Sequence, residues 1–210
     1  MHVVPSGEAY RDVDPMVDST VAMTAEALQR SAVWQRMVDS SLPLMGRAAY
    51  LEQHWEGLRV LVQALETAGW APELRAEMAE KVEALGGALD KAHATARWRD
   101  HHVTMPSMLQ FRRRVNEMVE SRDSVALDAH AIVRLAAVAA CPIAGEPTAV
   151  SFPPVRSVHT EDQEEYFAEE LSAAMLMVLA HGSDVCRSYP RQQRSTSCAV
   201  TAAAIRRALG

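Results

Sequence analysis

The sequence predicts an all-α protein, a bundle of six to seven helices. Alanine, leucine, glutamate and arginine dominate, while the 210 residues hold only nine glycines and ten prolines, a balance that favours helix over sheet. Apolar residues recur at steps of three and four in segment after segment, the period of helices that bury one face. No segment alternates apolar and polar residues with the period of two that a half-buried strand needs. With 49% of residues apolar and 23% charged, the chain can bury one sizeable core, so a single domain is expected.

Residues 1–13 show no periodicity and read as a loose arm. At Asp14-Pro15 an N-cap acceptor precedes a proline at the first helical position, where its missing N–H costs nothing. Val17, Val21, Leu28 and Ala32 mark the buried face of a first helix that ends before Pro43. Leu51, Trp55, Leu58, Val62 and Leu65 give the next helix its stripe. Gly69 can take the left-handed C′ position and Pro72 reopens the chain as a third helix with Leu74, Met78, Val82, Leu85 and Leu89 inward. The pair Gly86-Gly87 inside it predicts a kink or a close helix approach.

Pro106 starts an amphipathic run through Met108, Phe111, Val115 and Met118. Asp123 or Ser124 caps the segment at 125–141, which is apolar nearly all round and therefore central. Residues 142–158 hold four prolines and a glycine and form the long connection. Thr160 with Gln163 makes a capping box for a last long helix, with Tyr166, Phe167, Leu171, Ala174, Met175 and Val178 buried and a stop at Gly182. The helical domain thus spans 14–182, and residues 183–210 form a tail with a short helix over Ala199 to Leu209.

Lys+Arg 21 against Asp+Glu 27 gives a net charge of −6, which argues against a general nucleic-acid or anionic-membrane surface. The first 28 residues carry only Arg11 against Glu8, Asp12, Asp14, Asp18 and Glu26, the wrong sign for DNA-reading helices. The N-terminus lacks a basic region followed by an apolar run, and no apolar stretch is long enough to span a bilayer. Cys141, Cys186 and Cys198 show no CxxC spacing, so a reducing, cytoplasmic setting is expected. No GxSxG elbow is present, and no glycine-rich phosphate loop follows a strand.

Three strings, in order, carry a resemblance to a known family: AAYLEQHWEGLRVLVQALE at 48–66, PELRAEMAEKVEALGGAL at 72–89 and RVNEMVESRDSVALDAHAIVRL at 114–135. The last places His130 in a Leu-x-Ala-His-Ala string with Arg134 four residues on. The chain resembles the heme oxygenase superfamily over about residues 15–180. The resemblance implies a helical fold that holds a flat tetrapyrrole between a proximal first helix and a kinked distal helix.

In that family a histidine on the first helix ligates the heme iron. No histidine lies between His2 and His54 here, and the ligand position falls near Thr24 to Ala27, where Glu26 is the only donor. The family's distal Gly-Asp-Leu-Ser-Gly-Gly string aligns with Ala137 to Pro142, so its glycines and aspartate are replaced. Val138 cannot order water, and the cavity should be smaller, drier and less polar. The superfamily's two-iron branch has a His-x-x-x-Asp-x-x-His pattern, but Arg134 and Ala137 stand at those offsets from His130. Glu52 and Glu56 point away from His54 around their helix, so no metal site is expected.

These readings predict a divergent member that binds a hydrophobic small molecule between the first and distal helices. Thr24, Glu26, Arg134, Val138 and Cys141 bound the site, with no cofactor expected. An enzymatic role in specialised metabolism and a homodimer are both compatible with this reading. The rivals are a heme-binding protein or heme oxygenase with an unusual axial ligand, and a non-catalytic interaction protein. His130 reads as a hydrogen-bonded core histidine, His101-His102 as a solvated helix end and Arg112 to Arg114 as a wet helix face.

Overall fold

The computed structural model describes residues 10–141 and 152–191. Most of the N-terminal arm, the segment 142–151 and the short helix expected at 199–209 lie outside the described residues. Within them the elements are α1 (Asp14–Arg30), α2 (Ala32–Val38), α3 (Leu44–Ala68), α4 (Pro72–His93), α5 (Trp98–His101), α6 (Pro106–Ser121), α7 (Ser124–Ala139) and α8 (Glu161–Ser188). No strand occurs among the described residues. No helix there is long and apolar enough to cross a membrane.

Eight helices rather than six or seven follow from two local causes. Ser31 turns extended and breaks the expected first helix: its hydroxyl donates to the Leu28 carbonyl and accepts from the Trp34 N–H, so α2 starts with its own cap. The single turn α5 is held by side chains outside any apolar stripe. Trp98 packs edge-on to Trp55 with ring centroids 4.7 Å apart and donates its indole N–H to Asp90 at 2.8 Å. Asp14 is the first residue of α1, Val13 takes the cap position without a side-chain bond, and the carboxylate lies in the first turn instead.

Other expected signals hold where local chemistry decides them. Gly69 ends α3 at φ 71, the Asp123 side chain accepts from the Ala126 N–H, and Thr160 and Gln163 form the capping box of α8. Gly86 is a close approach: a Cβ there would lie 2.9 Å from the Arg99 guanidinium and 3.3 Å from the Trp55 ring nitrogen. Gly182 does not stop α8, which runs on to Ser188. Its missing side chain admits α2 instead, since a Cβ would meet Val33 at 2.5 Å.

At the centre lies α7, buried from Val125 to Val138. It packs on α8 along its length and also meets α1, α3, α4 and α6.

Candidate functional site

α7 presents two kinds of surface. Toward α1 and one face of α8 it places Ala129, Val133 and Ala137, spaced four apart and so on one face. They join Val17 and Leu28 of α1 and Phe167, Leu171, Ala174 and Val178 of α8, every one at 3% exposure or less. Such a seam is held by apolar burial and close packing. The one polar group α1 sends fully inside is Thr24, whose hydroxyl has no partner.

Toward α3, α6 and another face of α8 the same helix is polar. His130 meets Glu170 of α8 at 3.1 Å, and Arg114 of α6 pairs with the other oxygen of that carboxylate. The bond to His130, with the Arg114 charge, holds the Glu170 carboxyl below its usual range against the opposing effect of burial. Burial in turn pushes the His130 imidazole down.

One turn further along α7, Arg134 is 1% exposed. Its Cζ stands 4.6 Å over the Phe111 ring, and Nη2 reaches His181 Nε2 at 3.2 Å. A Cβ on Gly57 of α3 would lie 2.8 Å from that Cζ, so only glycine lets the guanidinium lie against α3. Burial lowers the Arg134 pKa to about 10. Burial, reinforced by the Arg134 charge, lowers His54 to about 3 and His181 well below its ordinary value, so both rings are neutral.

A third feature opens to solvent. A cleft of about 290 Å³ lies between the start of α4, the first turns of α7 and residues 153–159. Trp70, Leu74, Ile132, Pro153 and Val155 give it an apolar body, and Asp128, Arg156 and His159 a polar edge. Burial raises the Asp128 carboxyl to about 6, against the opposing pull of the Ser157 side chain. Ala71 on the rim holds φ 42, a conformation that costs a residue with a Cβ free energy.

The five residues expected to bound one cavity do not all face one place, although Arg134 and Val138, four apart, share one face of α7. Glu26 faces solvent and pairs with Arg30 on the outside of α1. Thr24 is interior. Arg134 lies with α3, α6 and α8, and Val138 and Cys141 are core residues of the cluster that contains Met37, Leu42 and Tyr50. His102, rather than ending a helix in solvent, contacts Glu56 at 3.1 Å, and Arg112 reaches the same carboxylate. Of the Arg112 to Arg114 run, Arg112 and Arg113 keep to a wet face, Arg113 pairing with Glu117, while Arg114 is half-buried against Glu170. Sequence reasoning missed His54, Asp128, His159 and His181. Asp128 carries a legible signal, a carboxylate inside a helix otherwise apolar all round. His54 shares helix phase with Tyr50, Leu58 and Leu61.

No protein-family model matches the sequence, and no curated protein matches it. Among solved structures it is similar to a heme oxygenase from Leptospira interrogans at 15% identity and a TM-score of 0.56, over 82% of this chain and 99% of that one. The chain has the heme-oxygenase fold. The heme-oxygenase-like arrangement of α1 and α7 raises the question of whether their facing residues fit a heme. α1 sends Val17, Thr20, Thr24 and Leu28 inward and no imidazole, and opposite them Ala129, Val133 and Ala137 pack into the same apolar cluster. These residues do not fit a heme. Among the described residues no group of three or more His, Cys, Asp or Glu is placed to hold a metal ion.

Proposed function

We propose that this heme-oxygenase-like protein binds a small, largely hydrophobic molecule in the cleft beside Asp128, and that ordinary heme cleavage is not its activity. The observation that carries this reading is the cleft itself: an apolar body with one buried carboxyl that changes charge near neutral pH. Its volume suits a ligand of two or three fused rings rather than a tetrapyrrole. Asp128 would accept a hydrogen bond from a ligand hydroxyl or amine, and Arg156 and His159 would order the mouth.

The test is titration with 1-aminoanthracene, a neutral fluorescent amine of matching size, alongside native mass spectrometry of the protein as purified. One equivalent should bind, and Ser124→Trp, which fills the cleft from its rim, should weaken binding at least tenfold. Met23→Glu in the shallow groove between α1 and α8 should leave binding unchanged. Equal loss in both variants, or no loss in Ser124→Trp, would reject the cleft as the site.

A further inference from the structure

Arg134 forms no ion pair among the described residues. No carboxylate of theirs lies within ion-pair distance of it, and its Nε and Nη1 atoms have no hydrogen-bond partner. Glu56 is close enough to favour its charged form, but its oxygens are already engaged by His102, Thr104 and Arg112. Along its own helix the residue one turn on is Val138, and one turn back is His130, already committed to Glu170. A guanidinium does not shed its proton in a protein, so it remains a cation in a site where an isolated charge is costly.

Beside it, His54 is also fully buried, with neither ring nitrogen bonded. Unmade hydrogen bonds on two fully buried side chains, one of them cationic, mark a missing partner rather than a packing fault. The shape of the guanidinium narrows the partner. The Phe111 ring covers one face and Gly57 closes in on the guanidinium carbon, which leaves the N–H edges as the approach for a ligand. Nη2 has two hydrogens and uses one on His181; whichever that is, an adjacent pair of N–H groups remains as an open fork. Neutral His54 can add one further N–H.

We propose that Arg134 and His54 together hold one small inorganic monovalent anion of the chloride class inside the bundle. The anion supplies the charge that the described residues do not place there, and its size is limited by side chains at 1% exposure or less: Arg134, His54, Tyr50, Phe111 and His181. The site is separate from the Asp128 cleft and does not rest on a ligand being bound there.

Bromide, a chloride surrogate with an anomalous signal, is the direct probe. Crystals of the wild-type protein in sodium bromide should show one anomalous peak within about 3.5 Å of the Arg134 fork. In solution, chloride should raise the melting temperature above that in gluconate at equal ionic strength, by roughly 3–5 °C per tenfold rise beyond saturation. Arg134→Met should lose that response. Should Arg134→Met not fold, His54→Phe should shift the chloride midpoint upward. Water, or a side chain of this protein, in place of the peak would overturn the proposal, and so would identical melting in chloride and gluconate.

Discussion

Toward α1, α7 offers Ala129, Val133 and Ala137 to hydrocarbon, and the one unpaired buried hydroxyl that α1 sends inward is that of Thr24. Toward α3 and α8 the same four turns carry His130 and Arg134 into contact with Glu170 and His181, and two of the three guanidinium nitrogens of Arg134 stay unpaired. The difference shows how a fold can keep its frame while its chemistry moves. The apolar seam is tolerant of anything that preserves volume; the polar face depends on each partner being present.

The largest effect should come from hollowing the seam. Phe167→Ala removes a side chain at 0% exposure and should cost about 3–5 kcal/mol in chemical denaturation. A loss below about 1 kcal/mol would mean the seam is looser than its packing indicates. On the polar face Gly57→Ala drives a methyl against the Arg134 guanidinium and should cost about 1–3 kcal/mol. Repeating it in an Arg134→Met background should recover much of that loss, because the flexible thioether can yield.

The cleft and the polar face also differ in their response to pH. Asp128 has a folded-state pKa raised to about 6 from 3.8, so its contribution is fully present below 3.8 and lost as pH rises through 6. Asp128→Asn should therefore stabilise the protein at pH 8, by on the order of 1–2 kcal/mol, and change little at pH 4. His54 runs the other way. Its folded pKa is lowered to about 3 from 6.5, so its contribution is present above 6.5 and lost as pH falls toward 3. A variant with Asp128→Asn that gains as much at pH 4 as at pH 8 would show that the carboxyl is not the source. The smallest effect belongs to Glu26→Ala, within about 0.5 kcal/mol, because its pair with Arg30 is exposed.

Most of the frame was legible in the sequence. The apolar periods of α3, α4, α6 and α8 and the caps at Asp123 and Thr160 are local chemistry, and they read through. The break at Ser31 was not legible, since serine is as often a tolerated helix residue as a cap and its two bonds depend on turns on either side. Gly182 misled because a glycine that ends a helix and one that admits a neighbour look the same without Val33 in view.

The site was less legible, for a reason of phase. Thr24, Arg134 and Val138 were placed by alignment along two helices, but which way each side chain turns is set by a rotation of α7 against α1 that one sequence does not encode. Arg134 falls one residue beyond Val133 on the helix, which is enough to carry it from the α1 seam to the α3 face. Asp128 entered a site because residues distant in sequence, Trp70 and Pro153 among them, close over it.

The central claim is that the place between α1 and α7 is filled by side chains and offers no axial ligand. Titration of the purified protein with hemin, followed in the Soret band, tests it most directly. The account predicts a broad change that does not saturate at one equivalent and is indifferent to Thr24→Val. A sharp shift saturating at one heme per chain, and lost on substituting a buried residue of α1, would contradict it.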